Sequence, residues 1–140
     1  MKLEEFITKN CGKQIDYDGV YGSQCVDLFR QYCQDVLTIP HTGSCVTSGG
    51  AKDLYLDYGK MPLEKKYFTR LTKSANPSYG YVAVWDSTPA NKYGHVAIVI
   101  AKLSATSLLV FEQNGFSQDG AKIVERSTVN ILGYLKFKGA

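Results

Sequence analysis

The 140-residue sequence has only two histidines, one tryptophan and four prolines, and its four cysteines include no Cys-x-x-Cys pair. The missing pair argues against a zinc knuckle, whose metal needs closely spaced thiolates. No apolar run approaches membrane-spanning length. Acidic residues in Met1-Lys2-Leu3-Glu4-Glu5-Phe6 interrupt the stretch where a secretory signal would be apolar. There is no dense Lys/Arg run, so the net charge of +3 points away from nucleic acid and at most eases approach to an anionic surface. No repeat, low-complexity tract or linker divides the chain, and a single domain over residues 1–140 is expected. Without an export signal, reduced thiols are the simpler expectation. Disulfides among Cys11, Cys33 and Cys45 stay open, because compartment and not spacing decides them.

What is present is an average globular composition, 44% hydrophobic and 21% charged, with an unusual ten tyrosines. Tyrosine suits half-buried strands and clefts. Leu3, Phe6, Ile7 and Cys11 fall near helical spacing before Gly12, so residues 3–11 read as a short helix. From Cys25 the apolar positions Leu28, Phe29, Tyr32, Cys33, Val36 and Leu37 form a sustained helical stripe that ends before Pro40. Cys33 is placed there as a small apolar filler. Residues 41–50 are loop by composition, and Ala51, Leu54, Tyr55 and Tyr58 predict a third helix closed by Gly59. Six β-prone segments follow, at 67–71, 79–85, 95–101, 108–113, 121–126 and 132–137. Helices first and strands afterwards is the α+β pattern, with helices packed on an antiparallel sheet of five to six strands.

Chemistry is sought first at Cys25. A cysteine in the first turn of a helix meets the positive end of the helix dipole and exposed N–H groups, which stabilise a negative sulfur. Of the two histidines, His41 lies in a polar loop. His95 opens Gly94-His95-Val96-Ala97-Ile98-Val99-Ile100, apolar on both faces and so expected to be central in the sheet. Glu112 and Asn114 on the next strand share a face by the two-residue period, and an antiparallel neighbour would bring that face to His95. Either residue would orient the imidazole, and cysteine, histidine and a polar third residue are a known solution for amide hydrolysis. Trp85 reads as core or groove wall. Ahead of Cys25, counting Asp16 as position 1 puts Asp18 at 3, Val20 at 5, Gly22 at 7 and Asp27 at 12, the ligand positions of an EF-hand-like calcium loop. Tyr21 stands where that loop wants glycine, and Asp27 where glutamate is usual; the bland reading is an Asp/Gly-rich turn with helix-capping acids.

Gln24-Cys25-Val26-Asp27-Leu28, Gly94-His95-Val96-Ala97-Ile98-Val99 and Phe111-Glu112-Gln113-Asn114, in that order, resemble the CHAP family of cysteine, histidine-dependent amidohydrolases/peptidases. The resemblance runs from about residue 15 to Leu132-Gly133-Tyr134-Leu135. It implies a papain-like fold with Cys25 as nucleophile, His95 as base, Glu112 as third member and Asn114 as a further polar site residue. The Cys25 backbone N–H would meet the oxyanion, with Gln24 as a helper. One departure is Tyr81 after Gly80, where the family has aspartate at a turn position without a catalytic role. The resemblance also implies calcium on residues placed like Asp16, Asp18 and Asp27, so that losing the metal would slow catalysis through the loop alone. The function it implies is hydrolysis of a peptidoglycan amide, an endopeptidase of stem peptide or cross-bridge ahead of an N-acetylmuramoyl-L-alanine amidase. A small-amide amidase and a non-catalytic wall-binding module are the alternatives. A monomer is expected, without membrane insertion, held in a host cytoplasm before release or carried on a phage particle and acting on the bacterial wall.

Overall fold

The computed structural model describes residues 1–17, 19, 24–40, 50–114 and 120–139. The elements run α1 (Leu3–Asn10), α2 (Cys25–Asp35), α3 (Asp53–Leu56), a 3-10 turn (Tyr58–Lys60), α4 (Pro62–Tyr67), then β1 (Phe68–Thr72), β2 (Val82–Trp85), β3 (His95–Ser104), β4 (Ser107–Gln113), β5 (Ala121–Ser127) and β6 (Ile131–Phe137). The strands form one antiparallel sheet in the order β1-β6-β2-β3-β4-β5. This is the α+β arrangement expected from the order of helical and strand periodicities. β3, apolar on both faces, is an interior strand between β2 and β4.

The period of two gives the sheet two apolar faces. Val82, Val84, Val96, Ile98, Phe111 and Leu135 face the helices and pack with Phe6, Leu28, Phe29 and Cys33. Ala83, Trp85, Ala97, Val99, Val110 and Tyr134 form a second cluster on the opposite face. Phe6 anchors α1 against Tyr32 of α2 and, edge-on, Phe111 of β4, at ring distances of 5.9 and 6.1 Å. These contacts fix the start of α2 relative to the strands that carry the polar site. Cys33 is buried in the core, whereas Cys11, at the end of α1, is an exposed free thiol. The turn before β2 is closed by the Tyr32 hydroxyl, which donates to the Gly80 carbonyl at 2.9 Å. Tyr81, after Gly80, takes part through its backbone: its N–H donates to the Ser78 carbonyl at 3.1 Å and its carbonyl accepts the Val99 N–H at 2.7 Å.

The main difference from the sequence reading lies at residues 51–67. The expected helix to Tyr58 is a single turn followed by a 3-10 turn, and α4 was not anticipated. Proline at the start of α4 is a good initiation signal, but its short polar sequence hides the inward face. Glu64 is fully buried while Leu63 is exposed, the reverse of an amphipathic pattern.

Candidate active site

The N-terminus of α2 is built by a reciprocal pair of bonds. Gln24 N–H donates to Asp27 Oδ2 at 2.9 Å and Asp27 N–H donates to the Gln24 carbonyl at 3.0 Å. Asp27, buried, thereby caps the helix that presents Cys25, and its Oδ1 lies 3.8 Å from Arg30 Nη1. Cys25 is half-buried at the first helical position. The segment before it is tied to the sheet by Gln113, which is fully buried. Its Oε1 accepts the Ile15 N–H at 2.7 Å, and its Nε2 donates to the carbonyls of Ile15 and Gln24, each at 2.8 Å.

His95 begins β3 directly opposite Trp85 of β2. Gly94, at φ +76°, makes the entry possible: a Cβ there would lie 2.5 Å from the Trp85 carbonyl oxygen and 2.8 Å from Lys52 Cβ. The Gly94 carbonyl accepts from Asn91 Nδ2 at 2.8 Å, which fixes the strand mouth. His95 is 6% exposed, and its Nε2 lies 3.0 Å from Glu112 Oε1. The Cys25 side chain is the ring's other neighbour. Burial alone would push the imidazole pKa down; hydrogen bonds and charge from Cys25 and Glu112 outweigh it and raise the pKa to about 9. Glu112 is 1% exposed. Burial would raise its pKa, but His95 and Arg126 lower it to about 2. Arg126 of β5 holds both carboxylate oxygens, Nε to Oε1 at 2.5 Å and Nη2 to Oε2 at 2.6 Å. An open cavity of about 390 Å³ adjoins this cluster, with Trp85, Asp86, Asn91, His95, Arg126 and Asn130 in its walls. Trp85, which the sequence left as core or groove wall, is both.

Cys25, His95 and Glu112 therefore converge from α2, β3 and β4. Asn114 lies just past the end of β4 with φ 55°, so the strand alternation that paired it with Glu112 ends at Gln113. Of the proposed calcium donors, Asp16 and Asp27 are described, and Asp18, Val20 and Gly22 lie outside the described residues, as do His41 and Cys45. Asp16 Oδ1 accepts the Gly19 N–H at 3.1 Å. Among the described residues no three His, Cys, Asp or Glu side chains are grouped to hold a metal. Sequence reasoning missed Arg126 and Gln113. For Arg126 a signal existed: the chain has three arginines, Arg30, Arg70 and Arg126, and a carboxylate expected to be buried on an interior strand needs a cationic partner. For Gln113, between two residues assigned to the site, the period of two directed attention to the opposite face.

A thiol at a helix N-terminus meeting a histidine on an antiparallel sheet, with a carboxylate behind the imidazole, defines the class of papain-like α+β domains. The chain belongs to the CHAP domain family, whose model matches residues 14–114. It is similar to the endolysin PlyTW of Staphylococcus phage Twort, 34% identical over 100 residues that make up 70% of this chain and 20% of that protein. It is also similar to the D-alanyl-L-alanine endopeptidase of Streptococcus phage B30, 26% identical over 102 residues, 65% of this chain and 23% of that protein. The chain thus spans about a fifth of the length of the curated relatives it matches. Among solved structures, the endolysin LysIME-EF1 shares the fold with a TM-score of 0.72 at 21% identity, over 97% of this chain and 64% of that one. Ly7917 does so at 0.66 and 18%, over 94% and 60%. The two curated relatives are named as an endolysin and an endopeptidase. Among the described residues no helix is long and apolar enough to cross a membrane.

Proposed function

We propose that the domain hydrolyses an amide bond of peptidoglycan through a thioester on Cys25. The observation that carries this reading is the convergence of Cys25 and Glu112 on the buried His95 ring. The sulfur attacks the amide carbonyl carbon, and the oxyanion takes the Cys25 N–H, which has no intrahelical acceptor at the first helical position. As the C–N bond breaks, His95 gives its proton to the leaving amine; its raised pKa keeps that proton in place at neutral pH. Water then attacks the thioester, His95 takes the water's proton, and a carboxylate and the Cys25 sulfur are released. Glu112 holds the ring by Nε2 throughout. The amine half of the substrate belongs on the His95 side, where the cavity lies.

A peptide bond in the stem or cross-bridge is the preferred target, supported by the name of the Streptococcus phage B30 relative; the muramoyl-alanine amide is the second. Digestion of purified Gram-positive walls followed by mass spectrometry separates the two by the amino group each newly exposes. Cys25→Ala is expected to abolish release of amino groups, and undiminished lysis by that variant would refute the catalytic reading in favour of a wall-binding module.

Calcium is proposed as a structural brace of the segment before Cys25. Asp16 and Asp27 offer the hard oxygen donors such an ion takes. Asp18, Val20 and Gly22 are assigned to it from the sequence alone. The ion would hold the loop against the start of α2 and take no part in bond making.

A further inference from the structure

Trp85, His95, Glu112 and Arg126 come one each from β2, β3, β4 and β5, four successive strands of the sheet, and their contacts close a ring. His95 Nε2 meets Glu112 Oε1 at 3.0 Å, and Arg126 grips both oxygens of that carboxylate. The Arg126 guanidinium lies 5.8 Å from the centre of the Trp85 ring, and Trp85 stands 5.6 Å from the His95 ring. Trp85 is tethered in turn, its Nε1 donating at 3.0 Å to the carbonyl of Ser127, the residue after Arg126.

We propose that Arg126 is a positioning residue: its two-pronged hold on Glu112, backed by Trp85, keeps the His95 ring in the orientation that faces Cys25, so the working unit is four residues and not three. This rests on the assignment of Cys25, His95 and Glu112 to catalysis. A carboxylate held only by an imidazole can rotate its plane and offer either oxygen. Two parallel N–H donors from a planar guanidinium fix that plane, and the imidazole must follow it. The titratable and charged groups around the ring are Cys25 from α2, Glu112 from β4 and Arg126 from β5 behind it, with Asp86, just after β2, in the wall of the same cavity. Arg126 offsets the carboxylate's charge, so His95 does not face an uncompensated anion that would hold its proton back from the leaving amine. The bland reading is that Arg126 only neutralises a buried acid. Lysine separates the two, since it supplies the same charge without the fork.

The test compares the parent with Arg126→Lys and Arg126→Met, using initial rates of amino-group release from solubilised Gram-positive peptidoglycan fragments and melting temperature as a check of folding. Arg126→Lys is expected to regain most of the melting temperature lost in Arg126→Met, yet to turn over about ten- to a hundredfold more slowly with KM little changed. The second readout is the rate of alkylation of Cys25 by iodoacetamide at a fixed neutral pH. It is followed on the Cys25 peptide by mass spectrometry, because the exposed Cys11 also reacts. Alkylation is expected to slow in Arg126→Lys, where the displaced ring no longer meets the sulfur. Arg126→Lys matching the parent in turnover and alkylation would overturn the proposal, as would a rise in KM with kcat unchanged, the mark of a substrate contact. Glu112→Gln and Cys25→Ala run alongside: if they too leave the rate intact, the catalytic assignment fails, and not merely the role of Arg126.

Discussion

Replacing Gln113 by leucine keeps the volume of a fully buried side chain and removes three hydrogen bonds, one from the Ile15 N–H and two to the carbonyls of Ile15 and Gln24. At about 1 kcal/mol net for each bond the loss would be about 3 kcal/mol. Ile15 is half-buried and Gln24 is exposed, so water recovers part of it, and about 2–3 kcal/mol is expected, a fall in melting temperature of roughly 6–12 °C for a domain of this size. Equilibrium urea unfolding measures the first quantity and calorimetry the second. The consequence for function follows from position. Gln24 immediately precedes Cys25, so the variant frees the approach to α2 even where the fold survives, and amino-group release well below the melting temperature should fall more than the folded fraction does. Hydrogen exchange at the Ile15 amide should accelerate in parallel. A stability loss under about 0.5 kcal/mol, with Ile15 exchange unchanged, would refute the idea that Gln113 ties the loop to the sheet.

Glu64 is fully buried, both its oxygens lack a hydrogen-bond partner among the described residues, and burial, only partly offset by Arg70, raises its pKa to about 9. The folded state thus keeps a proton that the unfolded chain sheds near 4.5, and stability present below that pH is lost as pH rises toward 9. Glu64→Met should flatten this decline in urea titrations and add about 2 kcal/mol at pH 8; an unchanged slope would exclude the burial account. In that background the His95–Glu112 pair can be read without overlap. Stability from Glu112 is present above about 4.5 and lost as pH falls toward 2, by about 3 kcal/mol, while stability from His95 is complete below 6.5 and lost as pH rises through about 9. The two shifts describe one contact seen from both ends and are not summed; Glu112→Gln should remove the acid limb and weaken the alkaline one. For calcium, a chelator should lower the melting temperature of the parent and slow amino-group release, with no such response in Asp16→Ala; equal melting curves with and without chelator would leave Asp16 to Asp27 as a plain turn and cap.

The parts of the site legible in the sequence are those set by local rules. Cys25 is placed by the helical stripe that starts beside it, His95 by the glycine and the doubly apolar strand, and Glu112 by the two-residue period and antiparallel pairing. The calcium reading is a match to a linear pattern, in which Asp27 is also the acid that bonds the Gln24 N–H at the start of its own helix. For Asn114 the shared-face argument stops at the strand's end, because the alternation holds only while the strand does and the backbone turns left-handed there.

By itself the sequence determined α1, α2 and the strands, the order of helices before strands, and the three residues that meet, because periodicity, capping and strand alternation act over a few residues. Only the tertiary structure decided that Arg126 stands behind Glu112, that Trp85 lies between Arg126 and His95, that Gln113 holds the approach to Cys25, and that Glu64 is buried without a hydrogen-bond partner among the described residues. Those facts depend on which strands become neighbours and how far a long side chain reaches across them. Hydrogen bonds between residues as far apart as Ile15 and Gln113 leave no periodic mark on the chain that forms them.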